Sequence, residues 1–281
     1  MRYQNPELPE GINVSRSQPL LDLLRLLGGL LVAAAIVFTA LGLLADKLAK
    51  YIPFATELKV AARFPDALPA PGPVTSYLQQ LADRIAAAQE LPEGMRINVH
   101  YVDEPTINAF ATLGGNVVLF RGLLNKMPSE NALAMVISHE IAHVKLRHPI
   151  ASLGRGLAIG IALATLSAGA GADIAGNTLG SAGLLTALTF SRSQERDADA
   201  DALQTVAKLY GHVAGADQIF RLLREEGKKQ IADVPALLRT HPLDQERINA
   251  IGLAAATQGW SANGETILLP EEIRQLVRIQ N

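Results

Sequence analysis

The chain has 281 residues, 49% of them hydrophobic and 19% charged, which is enough for one well-packed domain with an appendage. The formal net charge is −2 and no basic run occurs, so the composition excludes a nucleic-acid-binding surface of the usual electrostatic kind. Cysteine is absent, which excludes structural disulfides and thiolate zinc sites.

The first feature along the chain is a stretch without a charged residue, Leu26–Ala45, between Arg25 and Asp46. A helix of this length rises about 30 Å, which matches the hydrocarbon core of a bilayer. A core helix is rarely so long without a charge, and a cleaved signal peptide would start with a shorter, more basic segment. The sequence therefore predicts an uncleaved anchor that inserts into a lipid bilayer, preceded by an N-terminal tail over residues 1–25.

Basic residues flank this anchor in nearly equal number: Arg2, Arg16 and Arg25 precede it, and Lys47, Lys50, Lys59 and Arg63 follow it. The positive-inside rule compares these numbers, so the sequence favours neither orientation. A juxtamembrane linker over residues 46–73 comes next and runs into the proline-rich stretch "FPDALPAPGPV".

Beyond the linker, apolar spacing predicts a helix over Val74–Gln89, and alternation with β-branched residues predicts two strands. The first strand lies in "MRINVHYVD" (95–103) and the second is "NVVLF" (116–120), entered through a turn at Gly114–Gly115. Next comes a helix from Glu130 to about Arg147, because Ser129 is a good N-cap and Pro149 opposes continuation.

That helix carries His139, Glu140 and His143 as a His-Glu-x-x-His motif. The two histidines are four residues apart, so their imidazoles project from one face one turn apart. Two neutral imidazoles suit Zn²⁺, and the glutamate beside them can accept a proton from an attacking water. The neighbouring residues are apolar almost all round, so solvent-facing polar residues explain the motif poorly, and unpaired polar groups in a buried helix would cost several kcal/mol.

A catalytic zinc site needs a third protein ligand. A third histidine on the same segment would require Gly at position 146 and His at position 149, but the sequence has Leu146 and Pro149. A carboxylate from a later helix is the alternative.

The stretch "SRSQERDADAD" (191–201) supplies such carboxylates. Glu195 and Asp199 are four residues apart, so one could ligate the metal while the other accepts the free ring N–H of a ligating histidine. Asp197 and Asp201 are rivals in the same cluster, and an acidic helix surface is the alternative interpretation of all four.

Between these helices, residues 150–190 form a second apolar region rich in Gly, Ala and Ser. Its uncharged run is at the lower limit for a membrane span, so we predict a mobile or membrane-associated hairpin over two further spans. Helices are expected over residues 191–208, 214–226 and 242–254. The remaining histidines, His100, His148 and His212, are interpreted as structural or surface residues.

Four stretches together resemble the M48 family of zinc metallopeptidases, of the gluzincin class: "NAFATLGGNVVLFRGLL", "HEIAHVKLRHP", "SRSQERDADADAL" and "HPLDQERI". The resemblance covers about residues 70–255. It implies a mostly helical α+β fold: a zincin-like domain with a small β-sheet over residues 74–255, preceded by one transmembrane helix and followed by a C-terminal tail over 256–281.

The resemblance also implies roles for individual residues. It implies one Zn²⁺ per chain on His139, His143 and Glu195, with Glu140 as general base, Asp199 supporting a ligand, and His241 and Arg247 at the cleft, where His241 would stabilise the oxyanion. Substrate-binding residues are expected at Asn108, Ala109, Phe110 and Gly115. Since extended peptides commonly pair with a strand, we expect a substrate to add alongside "NVVLF".

These expectations combine into a membrane-anchored zinc endopeptidase that acts on protein or peptide substrates, in envelope protein quality control. By analogy with family members that have soluble domains, we expect a single-pass protein of a bacterial inner membrane with a periplasmic catalytic domain. The alternatives are a non-catalytic membrane adaptor that retains zinc, and a polytopic heat-shock-type protease with a cytoplasmic active site.

Overall fold

The computed structural model describes residues 18–63, 71–156, 190–229, 236–241 and 245–278. The predicted hairpin over 150–190 lies outside the described residues, apart from residues 150–156 and Phe190.

The predicted anchor lies within one long helix, α1, Pro19–Ala49. Its most apolar window of eighteen residues has a mean hydropathy of 2.4, and no part of that window is buried against the protein. A core helix would be covered by protein, so this exposure favours burial in lipid over burial in a core. In length and composition α1 is suited to cross a membrane.

The other helices are α2, Phe54–Ala61; α3, Pro73–Gln89; α4, Arg121–Leu124; α5, Glu130–Lys145; α6, over residues 148–156; α7, Arg192–Tyr210; α8, Gln218–Lys229; α9, Ala236–Thr240; α10, Gln245–Gln258; and α11, Glu271–Arg278. Every residue of α5 from Glu130 to Val144 is buried, so this helix is the centre of the domain. It packs along α7 and α3, with the sheet beside it. The mostly helical α+β architecture is confirmed.

In the part of the chain that the structure describes, the sheet has three strands: β1, Asn98–Val102; β2, Ala109–Ala111; and β3, Asn116–Phe120. Their order is β1-β3-β2, with β3 parallel to β1 and antiparallel to β2. Both edges of β3 are therefore occupied, and the expectation that a substrate adds alongside "NVVLF" is wrong. Strand β2 was not predicted from the sequence, because it is only three residues long.

The outer edge of β1 is partly covered by α3. The side-chain amide of Gln79 accepts a hydrogen bond from the Val99 amide at 2.8 Å and donates one to the Ile97 carbonyl at 3.0 Å. Edge strands attract unwanted pairing, and a side chain that satisfies their backbone groups removes that risk. Among the described residues no strand pairs with the outer edge of β2, so a fourth strand could use this edge.

The C-terminal residues pack into the domain. Leu269, Ile273 and Val277 are part of the main hydrophobic core. The start of α5 is bonded to the same segment, because the amide of Glu130 donates to the Ile267 carbonyl at 2.7 Å. The boundary drawn at 255 stays a prediction, but residues 267–277 pack as an integral part of the fold rather than as a loose tail.

The juxtamembrane segment also packs against the domain. Helix α2 contacts the short 3-10 turn Leu113–Gly115, which leads into β3. Glu57 of α2 is 1% exposed; it accepts a hydrogen bond from the Gly114 amide at 2.9 Å and forms an ion pair with Arg147. The segment after α1 is thus bound both to the turn before β3 and to the chain just after α5.

Candidate metal centre

Helix α5 carries the His-Glu-x-x-His motif, and both of its ends are well defined. Ser129 caps its N-terminus by accepting a hydrogen bond from the Ala132 amide at 3.2 Å. The helix ends at Lys145, and Arg147 then adopts a left-handed conformation with φ of 66°. His139, Glu140 and His143 are all buried in the last two turns of the helix.

Helix α7 supplies the carboxylates. It starts with a capping box, in which Ser191 and Gln194 bond each other's backbone amides. Glu195 and Asp199 lie on the buried face of α7, which packs against α5. The two other candidate carboxylates are not part of the ligand group: Asp197 is exposed, and Asp201 pairs with Lys145 at 2.7 Å.

Four side chains converge where the two helices meet. His139, His143, Glu195 and His241 each offer one ligand atom, and these atoms lie within 4.8 Å of one another. The Nε2 atoms of His139 and His143 are 3.0 Å apart, and the Glu195 carboxylate oxygens lie 3.4 Å and 3.5 Å from them. All four residues are buried.

These separations fit a tetrahedral metal ion. Ligand bonds of about 2.0–2.1 Å in a tetrahedron place neighbouring ligand atoms about 3.3 Å apart. The two Nε2 atoms are 3.0 Å apart, and Glu195 approaches His139 with Oε2 at 3.4 Å and His143 with Oε1 at 3.5 Å, so the separations are close to this value. Two neutral imidazoles and a carboxylate are donors that a divalent transition metal accepts. The group could therefore hold a metal ion.

His139 is held by a carboxylate on the side away from this cluster. Its Nδ1 lies 3.0 Å from Asp199 Oδ1, and Asp199 accepts two hydrogen bonds from the Arg247 guanidinium, at 2.7 and 2.8 Å. Arg247 also lies 2.8 Å from Glu195. Arg247 thus links the ligand carboxylate to the carboxylate that orients His139.

The charges of this network shift the pKa values of its members. Burial alone would lower the pKa of His139, but its hydrogen bonds to Asp199 and Glu195 raise it to about 10. Burial would raise the pKa of Asp199, but its bonds to His139 and Arg247 hold it below its ordinary value. For His143 burial dominates, and with the neighbouring histidines it lowers the pKa well below the ordinary value.

His241 is closer to the ligand atoms than the sequence analysis expected. Its Nδ1 lies 3.1 Å from Glu195 Oε1 and 3.2 Å from His139 Nε2. Its Nε2 lies 3.4 Å from Glu140 Oε1. The residue therefore contacts both the ligand group and the glutamate of the motif.

Glu140 is 1% exposed, and neither of its carboxylate oxygens has a hydrogen-bond partner among the described residues. A buried carboxylate without a hydrogen bond is costly, and the His241 contact at 3.4 Å is too long to replace one, so such a group implies a further species at the site. A water beside the metal position would satisfy it.

The four predicted substrate-binding residues lie in or next to the small sheet. Asn108 has a buried side-chain oxygen without a partner in the described part of the chain, Ala109 is fully buried, and Phe110 is half-buried against Phe120. Gly115 has a φ of 78°, and a Cβ there would overlap the carbonyl oxygen of Arg96. The requirement for glycine at 115 is thus explained by backbone packing, and its role in substrate binding stays a prediction.

An apolar cavity of about 30 Å³ adjoins the motif. His139, Glu140 and His241 line one side of it, and the rest is lined mainly by the apolar side chains of Val136, Ile219, Phe220, Leu223, Leu237 and Leu238.

Two residues at the centre were overlooked in the sequence. His148, interpreted as structural or surface, is 6% exposed, and its Nδ1 lies 2.8 Å from His143 Nδ1. Burial lowers its pKa to about 4, so its ring is neutral near pH 7. Phe190 stacks on the His143 ring, with centroids 3.9 Å apart and 17° between the planes. The sequence signal that could have indicated such partners is the apolar character of α5. A ligating histidine buried in this helix needs other side chains to contact its ring.

The other two histidines agree with their structural interpretation. His100 bonds Asn116 in the neighbouring strand at 2.9 Å. His212 accepts a hydrogen bond from the Ala214 amide at 3.2 Å.

Comparison with known proteins adds an independent observation. The family model of Peptidase family M48 matches residues 74–254, which is well over half of the chain. The match includes both helices that carry the candidate ligands, as well as His241.

Individual relatives give the same picture. A mitochondrial metalloendopeptidase OMA1 of Schizosaccharomyces pombe is 30% identical over 187 residues, covering 66% of this chain and 54% of the relative. An Arabidopsis thaliana protein of the same name is 32% identical over 168 residues, covering 60% and 33%. A beta-barrel assembly-enhancing protease of Yersinia pestis is 28% identical over 190 residues, covering 63% and 38%. The matched part of the chain thus spans between a third and about half of each of these relatives.

Proposed function

This chain belongs to peptidase family M48, and on that premise we propose that it is a membrane-anchored zinc endopeptidase that hydrolyses internal peptide bonds of protein substrates. Its relatives are named as a metalloendopeptidase and as a protease, which supports the reaction class.

One observation carries the proposal. Glu140 is a buried carboxylate without a hydrogen-bond partner in the described residues, and it belongs to the same helical turn as two imidazoles that share a ligand cluster with Glu195. A carboxylate that only stabilised the fold would be paired. A carboxylate that acts as a general base must instead be free to receive a proton.

Zinc suits the donor set, because nitrogen and oxygen ligands at tetrahedral spacing are typical of catalytic zinc sites. His139, His143 and Glu195 would hold it. When bound, the ion supplies Lewis acidity, which polarises the scissile carbonyl and lowers the pKa of the attacking water toward about 7.

The protein's own groups then move the proton. Glu140 accepts it from the attacking water and later delivers it to the leaving amine. The 3.4 Å separation between His241 Nε2 and Glu140 Oε1 supports a role for His241 in hydrogen-bonding the developing oxyanion. Asp199 and Arg247 hold His139 and Glu195 in position throughout.

The substrate would bind as an extended strand along β2, rather than along β3. Strand β2 lies at the edge of the described sheet, and it contains two of the four predicted substrate-binding positions, Ala109 and Phe110, with a third, Asn108, directly before it. Main-chain pairing at such an edge gives affinity that does not depend on sequence. The unpartnered side-chain oxygen of Asn108 supports this location.

The anchor supports a place at a membrane, and we propose a bacterial inner membrane with one span and, by analogy with family members that have soluble domains, a periplasmic catalytic domain. The Yersinia relative is named for enhancing β-barrel assembly, which suggests envelope protein quality control for this chain too. Digestion of residues 71–278 by protease added to spheroplasts would support the periplasmic side, and resistance to digestion would place the domain in the cytoplasm.

A non-catalytic adaptor that retains zinc is the second candidate, because His241 Nδ1 lies within the ligand group. Four protein ligands around zinc are typical of a structural site, whereas a catalytic site keeps one position open.

The test compares Glu140→Gln with a matched control, Glu93→Gln, since Glu93 is exposed. Purified full-length chains in detergent are assayed for zinc content and for cleavage of casein. We expect Glu140→Gln to retain zinc and to lose about 10²–10⁴-fold in rate, while the control changes neither. Casein cleavage at an unchanged rate in Glu140→Gln would refute the hydrolytic mechanism, and zinc binding without any cleavage by the unsubstituted chain would favour the adaptor.

A further inference from the structure

We propose that His148 is a positioning residue of the metal centre: its Nδ1 accepts a hydrogen bond from the Nδ1–H of His143 and fixes the tautomer that directs Nε2 of His143 at the metal. The inference rests on the proposed function, because it takes His143 to be a zinc ligand.

The hydrogen bond between His143 and His148 is short and buried. The two Nδ1 atoms are 2.8 Å apart, and the rings meet at 64° with centroids 5.0 Å apart. His143 is fully buried and His148 is 6% exposed. Phe190 stacks on a face of the His143 ring. Water therefore has little access to this hydrogen bond, and no solvent molecule can easily replace the acceptor.

The path of the chain explains how a residue so close in sequence reaches back to the motif. Helix α5 ends at Lys145, and the left-handed conformation of Arg147 turns the chain before α6 begins with His148. Arg147 is held in this turn by the Ile52 carbonyl at 2.8 Å and by Glu57. The turn brings the first side chain of α6 back against the last turn of α5.

The chemistry requires an acceptor at this position. A histidine that ligates through Nε2 must carry its proton on Nδ1, and a buried N–H without an acceptor is destabilising. For His139 the Asp199 carboxylate lies 3.0 Å from Nδ1 and can serve as the acceptor. For His143 the only atom that the structure describes in hydrogen-bonding contact with Nδ1 is that of His148.

The two ligating histidines therefore receive different support. Asp199 brings a negative charge, which Arg247 balances, whereas His148 accepts the bond without adding charge. A carboxylate at position 148 would instead add a second buried negative charge near Glu195, whose charge already acts on the His148 ring. A neutral ring meets the requirement at lower electrostatic cost.

The experiment replaces the ring with side chains that differ only in the acceptor. His148→Asn places an amide oxygen where Nδ1 stands, the same number of bonds from the backbone, and His148→Leu has a similar shape without an acceptor. The full-length chain in detergent is tested for zinc affinity by chelator competition and for the visible absorption spectrum of the Co²⁺-substituted protein. Thermal unfolding of each variant reports whether it folds.

We expect His148→Leu to weaken zinc binding about 10–100-fold and to change the Co²⁺ spectrum, while His148→Asn stays within a few-fold of the unsubstituted chain. Equal weakening in both variants, or no weakening in His148→Leu, would overturn the proposal. Should His148→Leu fail to fold, His148→Gln replaces it, because its amide oxygen lies one bond too far out. Gln is then expected to bind zinc more weakly than Asn, and equal binding by the two would overturn the proposal.

The outcome is separable from that of the proposed function. If the unsubstituted chain binds zinc but cleaves no substrate, the peptidase proposal fails, and His148 is still judged on zinc affinity and the cobalt spectrum. If the unsubstituted chain binds no zinc, both proposals fail together.

Discussion

Replacing Glu57 with alanine is expected to destabilise the domain, although Glu57 lies outside the region matched by the family model. Its carboxylate is 1% exposed and has two partners: the Gly114 amide at 2.9 Å and the Arg147 guanidinium. Removing it leaves a buried guanidinium with its remaining bond to the Ile52 carbonyl. Loss of one partner of a buried ion pair typically costs about 3–5 kcal/mol.

The lower end of that range applies here. Burial raises the pKa of Glu57 above its ordinary value of 4.5, even though Gly114 and Arg147 both oppose the shift. Desolvation therefore offsets part of the attraction, and about 3 kcal/mol is expected. For a domain of this size that corresponds to a fall of roughly 6–12 °C in the unfolding midpoint.

The assay is thermal unfolding of the full-length chain in detergent, followed by circular dichroism. Glu93→Ala is the control, because Glu93 is exposed and its loss should change stability by no more than about 0.5 kcal/mol. Replacing both partners, with Glu57→Leu and Arg147→Met together, is expected to recover much of the loss. A Glu57→Ala midpoint equal to that of Glu93→Ala would show that this buried pair does not hold the juxtamembrane segment to the domain.

Three further predictions concern the same two regions. Because burial raises the pKa of Glu57, the folded state binds more protons than the unfolded state above pH 4.5. The unsubstituted chain should therefore lose stability relative to Glu57→Gln as pH rises from about 4.5. Urea unfolding of both chains at several pH values checks this, and a difference independent of pH would contradict it. Arg247→Lys cannot reproduce the bidentate contact with Asp199, so zinc affinity measured by chelator competition should fall about tenfold or more, and an unchanged affinity would show that Arg247 does not hold the ligands. Removal of zinc with a chelator should lower the unfolding midpoint of the unsubstituted chain but not that of His143→Ala, and equal midpoint shifts in both would place the stabilising metal elsewhere.

Helices α1, α3, α5 and α7 and the two longer strands could be predicted because their signals are local, whereas α2 and α11 fall in segments predicted as linker and tail. Ser129 as a cap, the apolar spacing of α3 and the alternation in β1 each depend on a few neighbouring residues. The pairing of β3 could not be predicted, because β2 is three residues long and its partner is chosen by packing rather than by pattern. The expected substrate edge was wrong for that reason.

The candidate ligands could be proposed from spacing and resemblance, because four-residue intervals on two helices fix which side chains share a face. The surroundings of those ligands could not. His148 follows a left-handed turn at Arg147, and a left-handed conformation at a residue other than glycine has no clear sequence signal. The contact of Glu57 with Gly114 joins residues 57 positions apart in the chain, and it depends on how the segment after α1 folds back.

Because the juxtamembrane segment packs against the domain, a chain shortened at its N-terminus would lose part of this packing. A fragment that starts at residue 60 would lack Ala49 and Ile52, which pack in the small core beside α6, and would lack Glu57. Measurements on the metal centre therefore need the full chain.

The most direct test is metal analysis of the full-length protein purified in detergent, comparing the unsubstituted chain with Glu195→Ala and, as a control, Asp197→Ala. Metal analysis should give about one zinc per chain. X-ray absorption at the zinc edge should show nitrogen and oxygen ligands at about 2.0–2.1 Å. Glu195→Ala should bind zinc far more weakly, while Asp197→Ala should be unchanged because its side chain is exposed. Full retention of zinc by Glu195→Ala, with the same ligand shell, would contradict the assignment of a catalytic metal centre between α5 and α7.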